Sequence, residues 1–236
     1  MGGRGSSYGG NNSALGTKDI DELRKYMRDN YGISVHSSAD KVDFNVLRSV
    51  AGEIENIIKE FPQIAGPGIH ELSGNESRSN AYASATLRGS LQLNPKLLSD
   101  ADVLSKTYSD DVSSKWHPAG TTSVNIASHE MGHLLESALI FKNITEPGYQ
   151  GTMDRINAWN KNRFATKIVG EAARIVKKTE SGKGLKNNQL VEQISRYATK
   201  NRSEALAEAV ADYRANGNNA QPLSKAIWNI LKRELG

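Results

Sequence analysis

The chain has 236 residues, a formal net charge of +4, 24% charged residues and no cysteine. These values fit one globular domain with a good core, and they exclude a disulfide framework or a cysteine-ligated zinc site, leaving histidine and carboxylates as the strong metal ligands. No apolar run approaches the roughly 18 residues a bilayer span needs, and Lys and Arg are scattered instead of gathered into a nucleic-acid footprint.

Residues 1–16, MGGRGSSYGGNNSALG, have almost nothing to bury, so a flexible tail is expected. There is no apolar stretch of the kind a conventional signal peptide carries. Patterning begins at residue 17 and predicts one domain over 17–236, with helices and a small sheet over 17–120 and a helical part over 121–236. TKDIDELRKYMRDNYG reads as a helix with acids early, bases late and Gly32 as its stop. DFNVLRSVAGEIENIIKEF carries Phe44, Leu47, Val50, Ile54, Ile57 and Ile58 at helical spacing, and Pro62 closes it.

Residues 69–93 change character. IHEL, NAYASATL and GSLQLNP are short, partly alternating runs broken by Gly74, Gly89 and Pro95, which suits a small mixed or antiparallel sheet. KWHPAGTTS is read as a loop whose Thr121, Thr122 or Ser123 could cap the next helix. Further helices are expected over SVNIASHEMGHLLESALIF, 153–178, 188–198, SEALAEAVADYRANG with Ser203 as cap, and PLSKAIWNILKREL with Pro222 in its first turn. The fold class is therefore α+β and mainly helical.

One segment carries chemistry. In NIASHEMGHLL, His129 and His133 are four apart, so one helical face presents both imidazoles to a single cation. Glu130 is rotated about 100° from His129, beside the metal and free to act on a water molecule there. Val124, Ile126, Ala127, Met131, Leu134, Leu135, Ala138 and Leu139 imply a buried helix. Gly132 costs that helix about 1 kcal/mol relative to Ala, which points to something approaching its backbone.

A catalytic zinc site needs a third protein ligand. No histidine lies six residues after His133, so the ligand must be a later carboxylate. In RYATKNRSEALAEAVADY, Glu204, Glu208 and Asp212 follow each other at four-residue steps along one helix face. Stacked acids repel unless a cation or hydrogen-bond donors face them.

HEMGH followed by YATKNRSEALAEAV resembles the gluzincin peptidases related to anthrax lethal factor, including phage-encoded zincin-like domains found beside head-morphogenesis proteins. GSLQLNP and WHPAGTTS resemble the edge strand and helix approach of the phage-type members. The likeness covers roughly 85–140 and 190–215. It implies a zincin-like fold, Zn2+ on His129, His133 and Glu204, and Glu130 as general base and proton donor. It further implies Glu208 behind a ligand histidine and Tyr197 as donor to the oxyanion. An alternative register makes Glu208 the ligand and Asp212 its support; Glu204 is favoured because it also accounts for Tyr197.

The function implied is zinc-dependent endopeptidase action on a protein or peptide, with substrate laid along the strand near Ser90–Leu93. The setting implied is a phage particle, a larger polyprotein or the bacterial host cytoplasm, with export as a toxin or effector open. The alternative is a virion structural or interaction domain that keeps zinc without turnover, and intact Glu130 and Tyr197 argue against it. His117 in WHP, just before the active helix, could contact substrate or line the cleft, but packing of the loop is the favoured reading. His36 and His70 have no partners at ligand spacing, and Trp159 and Trp228 are expected in the core.

Overall fold

Asp19 opens the ordered helical frame, its carboxylate accepting from the backbone N–H groups of Asp21 and Glu22. The computed structural model describes residues 13–64, 68–77 and 80–236. Most of the expected tail, 1–12, lies outside the described residues. Its end does not behave as a tail: Ser13–Gly16 contain a 3-10 turn with Ala14 fully buried, and the Ala14 N–H donates to Glu55 at 2.8 Å.

Helix α1 (Ile20–Tyr31) stops at Gly32, whose φ of 68° is the left-handed conformation that favours glycine. Helix α2 (Phe44–Glu60) buries Leu47, Val50, Ile54, Ile57 and Ile58, the face its spacing predicts. Four short strands follow or flank these helices: β1 (Ser34–Val35), β2 (Glu71–Gly74), β3 (Ala83–Ala85) and β4 (Ser90–Leu93). They form one mixed sheet in the order β1-β2-β4-β3, with β1, β2 and β4 parallel and β3 antiparallel to β4.

That order corrects one expectation. Ser90–Leu93 is an inner strand, its backbone paired on one side with β2 and on the other with β3. The strand at the end of the sheet beside the later helices is β3.

Helices α3 (Pro95–Leu98) and α4 (Ala101–Ser113) form where the sequence pattern set no element. The reason is a thin apolar stripe: α4 buries only Leu104 and Tyr108. Helix α5 (Asn125–Asn143) is almost wholly buried. None of Thr121, Thr122 and Ser123 caps it by a side chain; Asn125 instead accepts from the Thr122 N–H at 2.9 Å. The single helical span expected over 153–178 is two helices, α6 (Gly148–Asn160) and α7 (Arg163–Val176), broken where Asn162 takes a φ of 50°.

Helix α8 (Asn187–Glu192) leads through a 3-10 turn at Tyr197–Thr199 into α9 (Arg202–Asn216), and α10 (Pro222–Leu235) closes the chain. Asn201, not Ser203, caps α9. No described helix is long and apolar enough to cross a membrane.

Helix α5 is the spine, with α2, α9 and β3 packed around it. Arg214 on α9 makes a two-pronged pair with Glu53 on α2 at 2.7 and 3.0 Å, and Ser128 on α5 donates to the same carboxylate at 2.8 Å. Three helices thus share one buried acid. Trp228 is core, as expected, stacked on Tyr213 at 4.7 Å and edge-on to Phe61 at 5.1 Å.

Gly132 is where α5 and α9 meet backbone to backbone: a Cβ there would lie 2.6 Å from Ala207 Cα. This is the close approach that a glycine inside a buried helix implied. Gly132→Ala should gain helix propensity yet lose stability by about 1–3 kcal/mol, because a methyl group must push the two helices apart. A denaturant midpoint equal to the parent's would refute that reading of the contact.

Candidate metal centre

The two-helix contact sets the site. On α5 the four-residue spacing turns His129 and His133 to one face, with ring centroids 5.0 Å apart and near perpendicular. On α9 the cap is decisive: Asn201 accepts from the Glu204 N–H at 3.0 Å, starting the helix so that Ser203 and Glu204 face the histidines. Glu204 then sits in a helix first turn, where the macrodipole favours a negative charge.

Glu204 Oε2 lies 3.1 Å from His129 Nε2 and 3.4 Å from His133 Nε2. The oxygen is buried and has no hydrogen-bond partner. One ligand atom from each of the three residues falls within 4.8 Å of the others, so the group could hold a metal ion.

The far nitrogens show why a cation fits. His129 Nδ1 is 2.7 Å from Glu208 Oε1, and a carboxylate only accepts, so Nδ1 carries the hydrogen. His133 Nδ1 is 3.0 Å from Ser203 Oγ, whose own hydrogen goes to Glu136 Oε2 at 2.5 Å, so this Nδ1 is also the donor. With Nδ1 as the donor in each ring, it is Nε2 that faces the orphaned Oε2. Two Nε2 atoms and a carboxylate oxygen so close together need a positive charge among them, a proton on the ring or a metal ion in its place.

Each histidine thus has its own support. Glu208 also takes His117 Nδ1 at 3.1 Å and the Ser195 hydroxyl at 2.7 Å. Burial works against its charge, yet the hydrogen bonds from His117 and His129 hold its carboxyl down at about 2. Glu136 is fully buried and accepts from the Ala165 N–H of α7 at 3.0 Å as well as from Ser203. Burial also opposes charge on Glu204 and His129. Their mutual proximity, with Glu208 behind His129, nonetheless lowers the Glu204 carboxyl far below its ordinary range and raises His129 well above its own.

Glu130 is 5% exposed, and its Oε2 has no hydrogen-bond partner. Burial raises its pKa, opposed first by the nearby His129 and His133 and then by the backbone of Ala85 on β3. Tyr197 places its ring 5.7 Å from that of His129. Burial and then the charges of Glu204, Glu130 and Glu208 raise its phenol, which stays a hydrogen-bond donor. Its backbone is pinned by Tyr197 N–H to Trp116 O at 3.1 Å. His129, Glu130, Tyr197, Tyr82, Trp116 and His117 line one cleft of about 690 Å3.

All six site residues expected from sequence come together. Asp212 does not join them; it accepts from Asn216 at 2.8 Å and from the Gln221 N–H at 2.9 Å, so the alternative register is not built. His117 is not merely a loop packer, Ser203 is not a cap, and Trp159 is half-buried beside the His133 ring at 6.3 Å instead of in the core. Glu136 is absent from the sequence reading, although a second carboxylate on a largely apolar helix was a visible signal. Comparison with protein families, curated proteins and solved structures returns no match.

Ser203→Ala and Glu136→Gln should each weaken metal binding about 10–100-fold while leaving the three ligands in place. Titration with Zn2+ against a competing chelator measures this, and unchanged affinity would leave Ser203 and Glu136 no part in orienting His133. Because the carboxylates hold a proton on His129, uptake of one metal at pH 7 should release about one proton. Calorimetry in two buffers of different ionisation enthalpy reads that number, and zero release would contradict a charged His129.

Proposed function

We propose that this chain is a zinc-dependent endopeptidase of the gluzincin type, with the zincin-like fold that its resemblance to the lethal-factor-related enzymes implies. The observation that carries the reading is Glu204 Oε2 without a hydrogen-bond partner between two Nε2 atoms, together with the likewise unpartnered Oε2 of Glu130. Two imidazoles and one carboxylate form the donor set of a catalytic zinc with a position left open.

A zinc ion held there supplies Lewis acidity to a carbonyl and to water. Glu130 takes the proton from the attacking water as oxygen bonds to the carbonyl carbon, then returns it to the amine as the carbon–nitrogen bond breaks. Its burial keeps it basic enough for the first step and acidic enough for the second. Tyr197 donates its phenolic hydrogen to the oxyanion, with Lys200 Nζ 4.1 Å from its ring centroid. The substrate is a protein or peptide that pairs with the outer edge of β3. Ala83 on that strand, with Ala81 and Tyr82 just before it, lines the cleft. A phage-encoded setting, with a virion component or another protein as target, belongs to this reading through the resemblance alone.

Glu130→Gln should keep stoichiometric zinc and lose peptide cleavage, whereas His133→Ala and Glu204→Ala should lose both. Zinc content by atomic absorption, paired with cleavage of a peptide library, distinguishes them; full activity in Glu130→Gln sinks the assignment. Bound zinc with no cleavage of any peptide favours the structural-domain alternative. Tyr197→Phe should hold metal and lose about 1–3 kcal/mol of transition-state stabilisation in kcat/KM. An unchanged rate would return Tyr197 to packing.

A further inference from the structure

His117 has one polar atom committed and one unspent. Nδ1 lies 3.1 Å from Glu208 Oε1, and among the described residues Nε2 has no hydrogen-bond partner. Since the carboxylate only accepts, Nδ1 carries a hydrogen, and a ring bearing that one hydrogen has its lone pair at Nε2.

The ring cannot turn away. It is stacked on Tyr108 at 4.8 Å and 5°. Tyr108 is itself 2% exposed, with its hydroxyl 3.4 Å from Thr121. The backbone just before it is held, because Lys115 O accepts from the Arg196 N–H at 2.8 Å and Trp116 O from the Tyr197 N–H. The ring centroid stands 5.8 Å from Tyr197 and 6.3 Å from Tyr82, both of which line the cleft with His117. A histidine that merely braced Glu208 would need none of this beyond its Nδ1.

We infer that His117 is a substrate-binding residue of the cleft, its Nε2 accepting a hydrogen bond from a backbone N–H of the bound peptide. The inference rests on the peptidase reading and adds to it a second wall of recognition. An extended peptide that enters the cleft loses water from its amides, and each N–H then needs an acceptor. The edge of β3 serves one side of the peptide; Nε2 of His117 serves the other. A lone pair repels an oxyanion, so Tyr197 keeps the stabilising role and His117 holds substrate. Because the N–H is held equally before and during reaction, its loss acts on KM and not on kcat.

His117→Asn tests this, because Asn keeps a side-chain N–H for Glu208 and lacks Nε2; His117→Ala removes both. The probe is a random decapeptide library, from which one member cleaved by the parent is taken, together with analogues N-methylated at single backbone positions. His117→Asn should match the parent in zinc content and thermal midpoint, raise KM about tenfold, and keep kcat within about threefold. One N-methylated analogue should lose about tenfold in kcat/KM with the parent and nothing further with His117→Asn.

An unchanged KM in His117→Asn, a fall confined to kcat, or equal N-methyl penalties in both proteins would each overturn the role of His117 and leave the peptidase reading standing. A zinc-loaded parent that cleaves no library member would bring down that reading, and His117 with it.

Discussion

The closeness of α5 and α9 governs this molecule. Gly132 lets the two backbones approach at Ala207, and at that separation a pair of imidazoles four residues apart on one helix meets a pair of carboxylates four residues apart on the other. Ridges of ordinary side chains would hold helices about 8–10 Å apart. With α9 pushed outward, Glu204 would leave the histidines and Glu208 would lose His129. One missing methyl group therefore stands beneath the whole candidate centre.

Buried charge is handled by distribution. Glu53, Glu136 and Glu208 each sit in the interior, where an unpaired carboxylate is strongly destabilising. Glu53 has a guanidinium and a hydroxyl, Glu136 a hydroxyl and a backbone N–H, and Glu208 two imidazoles and a hydroxyl. Among the carboxylates of the described residues, only Glu130 and Glu204 keep a buried oxygen without a partner; Ser90 Oγ and Ser224 Oγ are the other such atoms. The fold pairs the buried acids around the centre and leaves two incomplete where chemistry is proposed, a pattern expected at functional sites.

Much of this was legible in the sequence because it follows from periodicity. His129, Glu130 and His133 needed only the 3.6-residue turn, and Glu204 and Glu208 only their spacing within an alanine-rich helix. What the sequence hid depends on the path of the chain in space. His117 lies 91 residues from Glu208, and no local pattern joins a Trp-His-Pro loop to a distant helix. Ser203 looked like a cap because Ser is a good one, but Asn201 takes that position and frees Ser203 for His133. Helix α4 escaped notice because its buried face is two residues wide. The inner position of β4 was hidden too, since strand order within a sheet is a long-range property that alternation does not encode.

The aromatic placement has a practical side. Of the three tryptophans in the chain, Trp116 lies edge-on to Tyr197 at the cleft, Trp159 stands against His133, and Trp228 is sealed among Phe61 and Tyr213. Two of the three indoles thus lie against residues of the candidate site, while the third is sealed in the interior. Two built-in ultraviolet reporters are therefore placed to sense occupancy, and the third to sense the integrity of the fold.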